Sequence, residues 1–370
     1  MYHTMCDTDV FVCGGGPAGL AAAIAARRAG FRVTVADPAI PPIDKACGEG
    51  IMPDGLAALQ QLGITLGSAE GVPFHGIRFI DKFGTAEAAF PHGCGIGVRR
   101  AVLHERMVRA ASEMGVALQW GVRVSALSHG GVCINGQKIR SRWLICADGQ
   151  HSRLRALAGL SEATSERQRR GFRRHYRVTP WTTSVEVYWS DVGQMYVTPV
   201  SQSEVCVAWV TSGELRFDEA LRHFPELSAR LLFAEYDPAK GAITATRKLR
   251  HVQCDPVALV GEASGSVDAV TGEGLALAFQ QAVALAEAMK SGGLRLYEQR
   301  HRHIMRLPHV MASLMLSMDS YPAFRRRVFR AFNSEPRLFS RLLALHTGAL
   351  SPMQFGMRGT LSLAWRLVSA

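Results

Sequence analysis

Gly14, Gly16 and Gly19, with an acid at Asp37, form the residue set whose types and spacing point most directly to chemistry. In Gly14-x-Gly16-x-x-Gly19 the first glycine permits a tight turn. The second lets backbone approach a pyrophosphate, and the third lets a helix pack close to a strand. Asp37 stands 18 residues beyond Gly19, a spacing that suits acceptance of a ribose 2′-OH. Together they read as a dinucleotide site. A second candidate is Cys47 in KACGEG, with Lys45 two residues before it and Gly48 after it. A basic neighbour in a glycine-flanked loop suits a thiolate. A small buried hydrophobe is the commoner use of a free cysteine. A third is Asp148-Gly149, an acid ending an apolar run, where open α/β sheets place ligand contacts.

The elements that must position these residues surround them. Val10 to Cys13 is a short apolar run, long enough for a strand buried on both faces. Pro17 suits the first turn of a helix. Ala18 to Ala29 is alanine-rich, with Leu20 and Ile24 one turn apart, and Gly30 stops it. A second strand, Phe31 to Ala36, leads to Asp37. This is a βαβ unit whose helix N-terminus offers unpaired N–H groups and a positive dipole to phosphates.

Further along, Gly76 to Phe90 reads as a hairpin. A helix opens at Gly97-Val-Arg-Arg, with Leu103, Met107, Ala110 and Met114 on one face. Arg99 and Arg100 sit at the end that disfavours cations, so they are either solvated or bound to an anion. Gly121 to Val124 reads as a strand, Asn135-Gly136 as a hairpin turn, and Trp143 to Ala147 as a further strand. Arg167 to Arg177 holds six arginines in eleven residues, either a site for phosphate or an acidic partner or an exposed basic strand. Val185, Val187 and Trp189 alternate with Glu186 and Tyr188. With Met195 to Val200 and Val205 to Val210 they suggest an antiparallel sheet inserted as a second layer. A short strand at Val257 to Val260 precedes a helix striped by Leu275, Phe279, Ala282, Ala286 and Met289, whose start, Thr271 to Gly274, is rich in glycine.

The fold class is therefore α/β. Residues 1–70, 98–165 and 251–293 form a Rossmann-like nucleotide domain, and residues 71–97 and 166–250 an antiparallel substrate sheet. Residues 294–370 form a C-terminal helical region. The net charge of +11 comes mostly from arginine and admits anionic partners of several kinds or a merely solvated basic surface. No RNA- or DNA-binding motif is visible, so nucleic acid is not expected. The 8 cysteines show no CxxC spacing, which argues against zinc and disulfide frameworks; no metal is expected, and a reducing compartment is. MYHTMCDTD lacks a signal-peptide pattern, and no apolar run is long enough to span a bilayer, so a cytoplasmic location is expected.

GGGPAGLAAAIAARRAG, CADGQHSRLR and VGEASGSVDAVTGEGLALA, in that order, resemble the three flavin motifs of the para-hydroxybenzoate-hydroxylase-like superfamily. That superfamily includes aromatic monooxygenases, flavin-dependent halogenases and geranylgeranyl reductases. The resemblance implies FAD. It assigns Gly14, Gly16, Pro17, Ala18 and Gly19 to the pyrophosphate turn, Asp37 to the adenosine ribose and Val124 to the adenine. Arg100, with Arg99 as the alternative, would reach the phosphates. Asp148 and Gly149 form the central motif, associated with both FAD and NAD(P)H. Glu262 replaces the family's aspartate on the ribityl chain, one methylene longer. Gly272, Gly274 and Leu275 match the turn facing the isoalloxazine ring. KACGEG resembles the loop that brings a cysteine near the flavin in geranylgeranyl reductases, and so assigns Lys45, Cys47 and Gly48.

The activity implied is that of an NAD(P)H-dependent monooxygenase hydroxylating a hydrophobic aromatic, polyketide or isoprenoid-type molecule through a flavin C4a-hydroperoxide. A geranylgeranyl-reductase-like ene-reductase is the alternative, with Cys47 as proton donor. A halogenase is a lesser one, since the halogenase tryptophan motif is missing. Val187, Trp189, Tyr196 and Val197, with Pro199 in Tyr196-Val-Thr-Pro199, are the expected substrate wall. The apolar tail after Gly348 would cap the pocket or touch an anionic membrane surface. An acidic carrier delivering substrate would meet Arg167 to Arg177. The oligomeric state is open.

Overall fold

The computed structural model describes residues 6–128 and 130–356. Its first sheet is built on five parallel strands in the order Val257–Leu259, Gln137–Cys146, Thr8–Cys13, Val33–Asp37, Ala117–Trp120. The central strand leads through Gly14 to Gly16 into α1 (Pro17–Arg28). Two other helices pack on α1: α3 (Arg100–Glu113), and α7 (Gly274–Lys290), which also contacts α2 (Pro53–Gln61). Small side chains make the approach possible: Ala21, Ala22, Ala23, Ala25 and Ala26 are all buried. A short α4 (Arg153–Leu157) follows the Asp148-Gly149 turn.

The second sheet has eight strands and takes its residues from two separated stretches, Gly76–Ala89 and Ala163–Leu249. Most of its neighbours are antiparallel, but Val185–Ser190 pairs parallel with Gly76–Asp81, so the sheet is mixed rather than antiparallel. No hairpin joins those two strands, which leaves their direction free of a tight-turn constraint. One face is covered by α5 (Phe217–Leu221) and α6 (Pro225–Leu231), where Phe217, Phe224 and Leu227 pack against Trp209 and Val197. The other face meets α8 (Arg295–Ser320), α9 (Pro322–Ser334) and α10 (Pro336–His346) around Phe79, Val187, Phe329 and Phe339.

Two buried arginines bind these C-terminal helices to the rest. Arg325 on α9 lies 2.7 Å from Asp81 and 2.7 Å from Asp191, both on the second sheet's hairpins. Arg169 reaches Asp268, Asp319 and Gln194 at 3.0, 3.0 and 3.1 Å, tying α8 to the loop before α7 and to strand Gly193–Ser201. The tail's last part, residues 357–370, lies outside the described residues. Among the described residues no helix is long and apolar enough to cross a membrane.

Two local expectations change. The stretch Gly121 to Val124 is mostly a connection, because the chain turns at Gly121 (φ +73°) and the strand begins at Val124. The run Arg167 to Arg177 is one long strand, but Arg169, Arg173 and Arg174 are buried and ion-paired. Of the exposed arginines, Arg170 and Arg177 have acidic partners of their own, Glu214 and Asp237, while Arg167 is also exposed. Half of the run's arginines are thus used inside the fold, and Arg167, Arg170 and Arg177 remain at the surface.

Candidate functional site

A cavity of about 780 Å³ opens at the carboxyl end of the parallel sheet and runs between the second sheet and α8 to α10. One part of its wall is the glycine turn. Gly16 is the N-cap of α1, and no side chain caps that helix end. Gly14 and Gly19 lie behind the lining, and there they are structurally required. A Cβ on Gly14 would stand 2.4 Å from the Ala147 oxygen, and one on Gly19 1.8 Å from the Gly14 oxygen. By contrast, a Cβ on Gly16, Gly48, Gly272 or Gly274 meets nothing within 4 Å. These four glycines line the cavity with bare backbone, as do Pro17, Ala18, Gly149 and Leu275 with their own atoms.

Asp37 and Val124 lie outside this lining. Asp37 takes the N–H groups of Gly15 and Ala39, each at 2.7 Å, and so braces the turn from its far side. His104, which the sequence reading missed, braces it from another side through a 2.8 Å bond between Nε2 and the Gly15 carbonyl. Asp148 lines the cavity, but its carboxylate is spent on α4, accepting from Ser152 Oγ (2.5 Å) and the Leu154 N–H (3.1 Å). Glu262 is exposed and lines the cavity nearby.

The two arginines at the start of α3 part company. Arg99 is engaged with Glu204, Asp237 and His175. Arg100 lines the cavity, and its Nε is buried without a hydrogen-bond partner. The structure thus favours Arg100 as the anion ligand. Lys45, Cys47 and Gly48 also line the cavity. Their loop is held by Glu49, in the left-handed region at φ +60° and almost fully buried. The Glu49 carboxylate accepts from His175 Nε2 at 2.6 Å and from the Arg100 N–H at 3.0 Å, with Arg173 3.5 Å away. Such charged partners repay its burial. Glu49 lay inside the KACGEG loop and Arg173 inside the arginine run, but neither was assigned this role from sequence, because the pairing joins residues more than 100 positions apart.

Of the expected substrate wall, Val187 and Tyr196 line the cavity, and the Tyr196 hydroxyl donates to the Val270 carbonyl at 2.8 Å. Trp189, Val197 and Pro199 do not line it. Trp189 packs edge-on to Phe79 with ring centroids 5.5 Å apart. Val197 points to the opposite face, into the α5–α6 core. The Pro199 carbonyl is pressed against Gly97. The rest of the wall is apolar and comes largely from α8 to α10, including Met311, Met315, Phe339 and Leu343.

A glycine cradle at the carboxyl end of a parallel sheet, facing an apolar chamber under a second sheet, defines a dinucleotide-dependent enzyme of the two-sheet type. The family profile described as FAD binding domain matches residues 7–292, and the chain belongs to that family; it is an FAD-dependent oxidoreductase. It is 29% identical over 324 residues to menaquinone reductase of Mycolicibacterium smegmatis, covering 78% of each chain. Over 172 residues it is 31% identical to 6-methylpretetramide 4-monooxygenase of Streptomyces rimosus, 41% of each chain. The solved structure of a flavoprotein/dehydrogenase from Cytophaga hutchinsonii has the same fold, with a TM-score of 0.81 at 19% identity, covering 98% of this chain and 100% of that one. The residues present fit FAD. Four cavity-facing glycines leave bare backbone, the α1 N-terminus has no side-chain cap, and Arg100 keeps an unpartnered buried Nε.

Proposed function

We propose that this oxidoreductase is an NAD(P)H-dependent monooxygenase that hydroxylates a hydrophobic, ring-bearing small molecule of aromatic, polyketide or isoprenoid type. The observation that carries this reading is the continuity of one cavity, with the glycine cradle and Arg100 in one part and an apolar chamber in the other. When bound, FAD supplies the redox chemistry and, with dioxygen, the oxygen atom. Gly16 and Arg100 would hold its phosphates, and the backbone at Gly272 to Gly274 would meet the ring. The chain's remaining task is to hold the substrate and keep water out. Phe79, Val187, Met315 and Phe339 do this without any protein nucleophile, and methionine suits a wall that must adapt to shape. The partial likeness to 6-methylpretetramide 4-monooxygenase supports the reading.

Alkene reduction is the second reading. It is favoured by Cys47 on the cavity wall, placed to donate a proton, and by the likeness to a menaquinone reductase over most of both chains. One experiment separates the two. The NADPH- or NADH-reduced holoenzyme is given ¹⁸O₂ with a panel of hydrophobic phenols and prenylated naphthoquinones, and the products are weighed by mass spectrometry. One ¹⁸O atom gained by a product supports the monooxygenase. Two hydrogens gained with no ¹⁸O overturns it in favour of the reductase.

A further inference from the structure

The apolar chamber holds one imidazole side chain. Of the wall contributed by the second sheet and α8 to α10, His346 alone is of that kind among the described residues. It is the last residue of α10. Its Nε2 lies 3.3 Å from the Thr271 carbonyl, and its Nδ1 lies 3.6 Å from Oε1 of Glu273.

Glu273 lies outside the cavity lining, between the two lining glycines Gly272 and Gly274 at the start of α7. It is only 3% exposed, and its Oε2 is buried with no hydrogen-bond partner. Asp54, in the first turn of α2, is close enough to act on both. Its Oδ2 takes Gln280 Nε2 at 3.1 Å, and its Oδ1 is also unpartnered. Among the described residues, His346 is the one cation-forming side chain within ion-pair distance of Glu273. Three elements from distant parts of the chain thus bring two poorly solvated carboxyls and one imidazole together beside the chamber. Neighbouring carboxyls that water reaches poorly resist joint ionisation, which favours a proton held on the pair.

We propose that His346 is the acid–base residue of the substrate chamber and that the Glu273–Asp54 pair is its proton partner. The assignment rests on the reading of the apolar half of the cavity as the place where substrate binds. In the donating direction, the Nε2 proton of His346 leaves the Thr271 carbonyl for a basic substrate atom, an enolate carbon or a phenolate oxygen. The carboxyl proton of Glu273 moves to Nδ1, the ring stays neutral, and the carboxylate left behind regains a proton from water. The reverse sequence removes a phenol proton. No electrons move in either direction. The electrostatics agree: burial and the Asp54 charge push the Glu273 carboxyl well above the usual carboxylate range. Burial holds the His346 imidazole below its ordinary value, with Asp54 opposing.

The test follows the His346 signal in ¹³Cε1-histidine NMR of the FAD-loaded protein across pH, assigned by its absence in His346→Gln. Asp54→Asn removes a charge that favours the imidazolium, so the His346 midpoint falls. Glu273→Gln removes no charge if that carboxyl is already neutral, so the midpoint stays in place. A midpoint unmoved by Asp54→Asn, or lowered by Glu273→Gln, overturns the assignment. A second arm mixes dithionite-reduced holoenzyme with menadione without oxygen. His346→Gln is expected to slow reoxidation about 100-fold and to abolish its solvent isotope effect. An unchanged rate overturns the acid–base role. Neither arm depends on whether oxygen is transferred, so the monooxygenase reading fails or stands separately. If His346→Gln retains no FAD, the signal is assigned by comparing the apoproteins, and the midpoints in apo Asp54→Asn and Glu273→Gln decide.

Discussion

The Gly15 carbonyl and His104 Nε2 are 2.8 Å apart, while His104 Nδ1 accepts the Ile43 N–H at 3.3 Å. These two bonds require a neutral ring protonated on Nε2, and burial holds the imidazole below its ordinary pKa in keeping with that. The ring therefore pins the glycine turn to α3 and to the loop after Asp37. Replacing it by Phe keeps the bulk and loses both bonds. FAD affinity of the refolded apoprotein, followed by flavin fluorescence, is expected to weaken about tenfold. Affinity equal to wild type would show that the turn needs no such brace.

Gly14 and Gly16 are expected to fail in different ways. At Gly14 any side chain meets the Ala147 carbonyl, and φ is +114°, so Gly14→Val should not yield folded protein. At Gly16 a side chain has open space before it, so Gly16→Val should fold and purify without flavin. Circular dichroism with the flavin absorbance of each purified protein reads both outcomes. A Gly16→Val protein with full flavin content would sink the cradle assignment.

Cys47→Ser is expected to leave FAD bound, because the Glu49 carboxylate anchors the loop and a serine hydroxyl can accept the Glu49 N–H that the thiol takes at 3.4 Å. Turnover should change, since Cys47 lines the cavity. Flavin content and kcat are measured together. Equal kcat on every substrate would return Cys47 to a packing role.

Acid stability should follow His301. Its buried ring, 2.9 Å from Ser264 Oγ, is held at about 4 by burial. The folded protein disfavours the charged form, so the unfolded chain binds more protons between pH 6.5 and 4. Stability from this group is full above 6.5 and is lost as pH falls toward 4, on the order of 3 kcal/mol. Urea unfolding of the FAD-loaded protein at pH 7 and pH 4.5 measures it, and His301→Gln should flatten the difference. An identical pH dependence in that variant would assign the acid limb to other groups.

The flavin half of this protein was legible from sequence because its constraints are local. A glycine turn, a proline at a helix start and an acid at a strand end each follow from backbone geometry within a few residues. The resemblance put Arg100 before Arg99, but the physical reason for that order was not legible. It depends on Glu204 and Asp237, more than 100 residues away, engaging the other guanidinium. The basic run misled for the same reason. Its acidic partners Asp44, Asp218, Asp268 and Asp319 are scattered through the chain, and charge alone read as surface. Trp189 obeyed the alternation expected of its strand yet packs behind Phe79, because period-two patterning gives the face and not the depth. Glu49 and Glu273 sit inside the quoted motifs, but only the fold shows their partners; His104 and His346 carry no spacing signature.

Arg169 has a bearing on how such an enzyme can be re-engineered. One guanidinium serves an acid in the loop before α7 and an acid near the end of α8. The roof of the chamber is therefore not an interchangeable module. A chimera that takes residues 294–356 from a relative must supply a carboxylate where Asp319 stands. Otherwise the graft leaves Arg169 short of a counter-ion, and the disturbance arrives at the flavin loop through Asp268 rather than stopping at the seam.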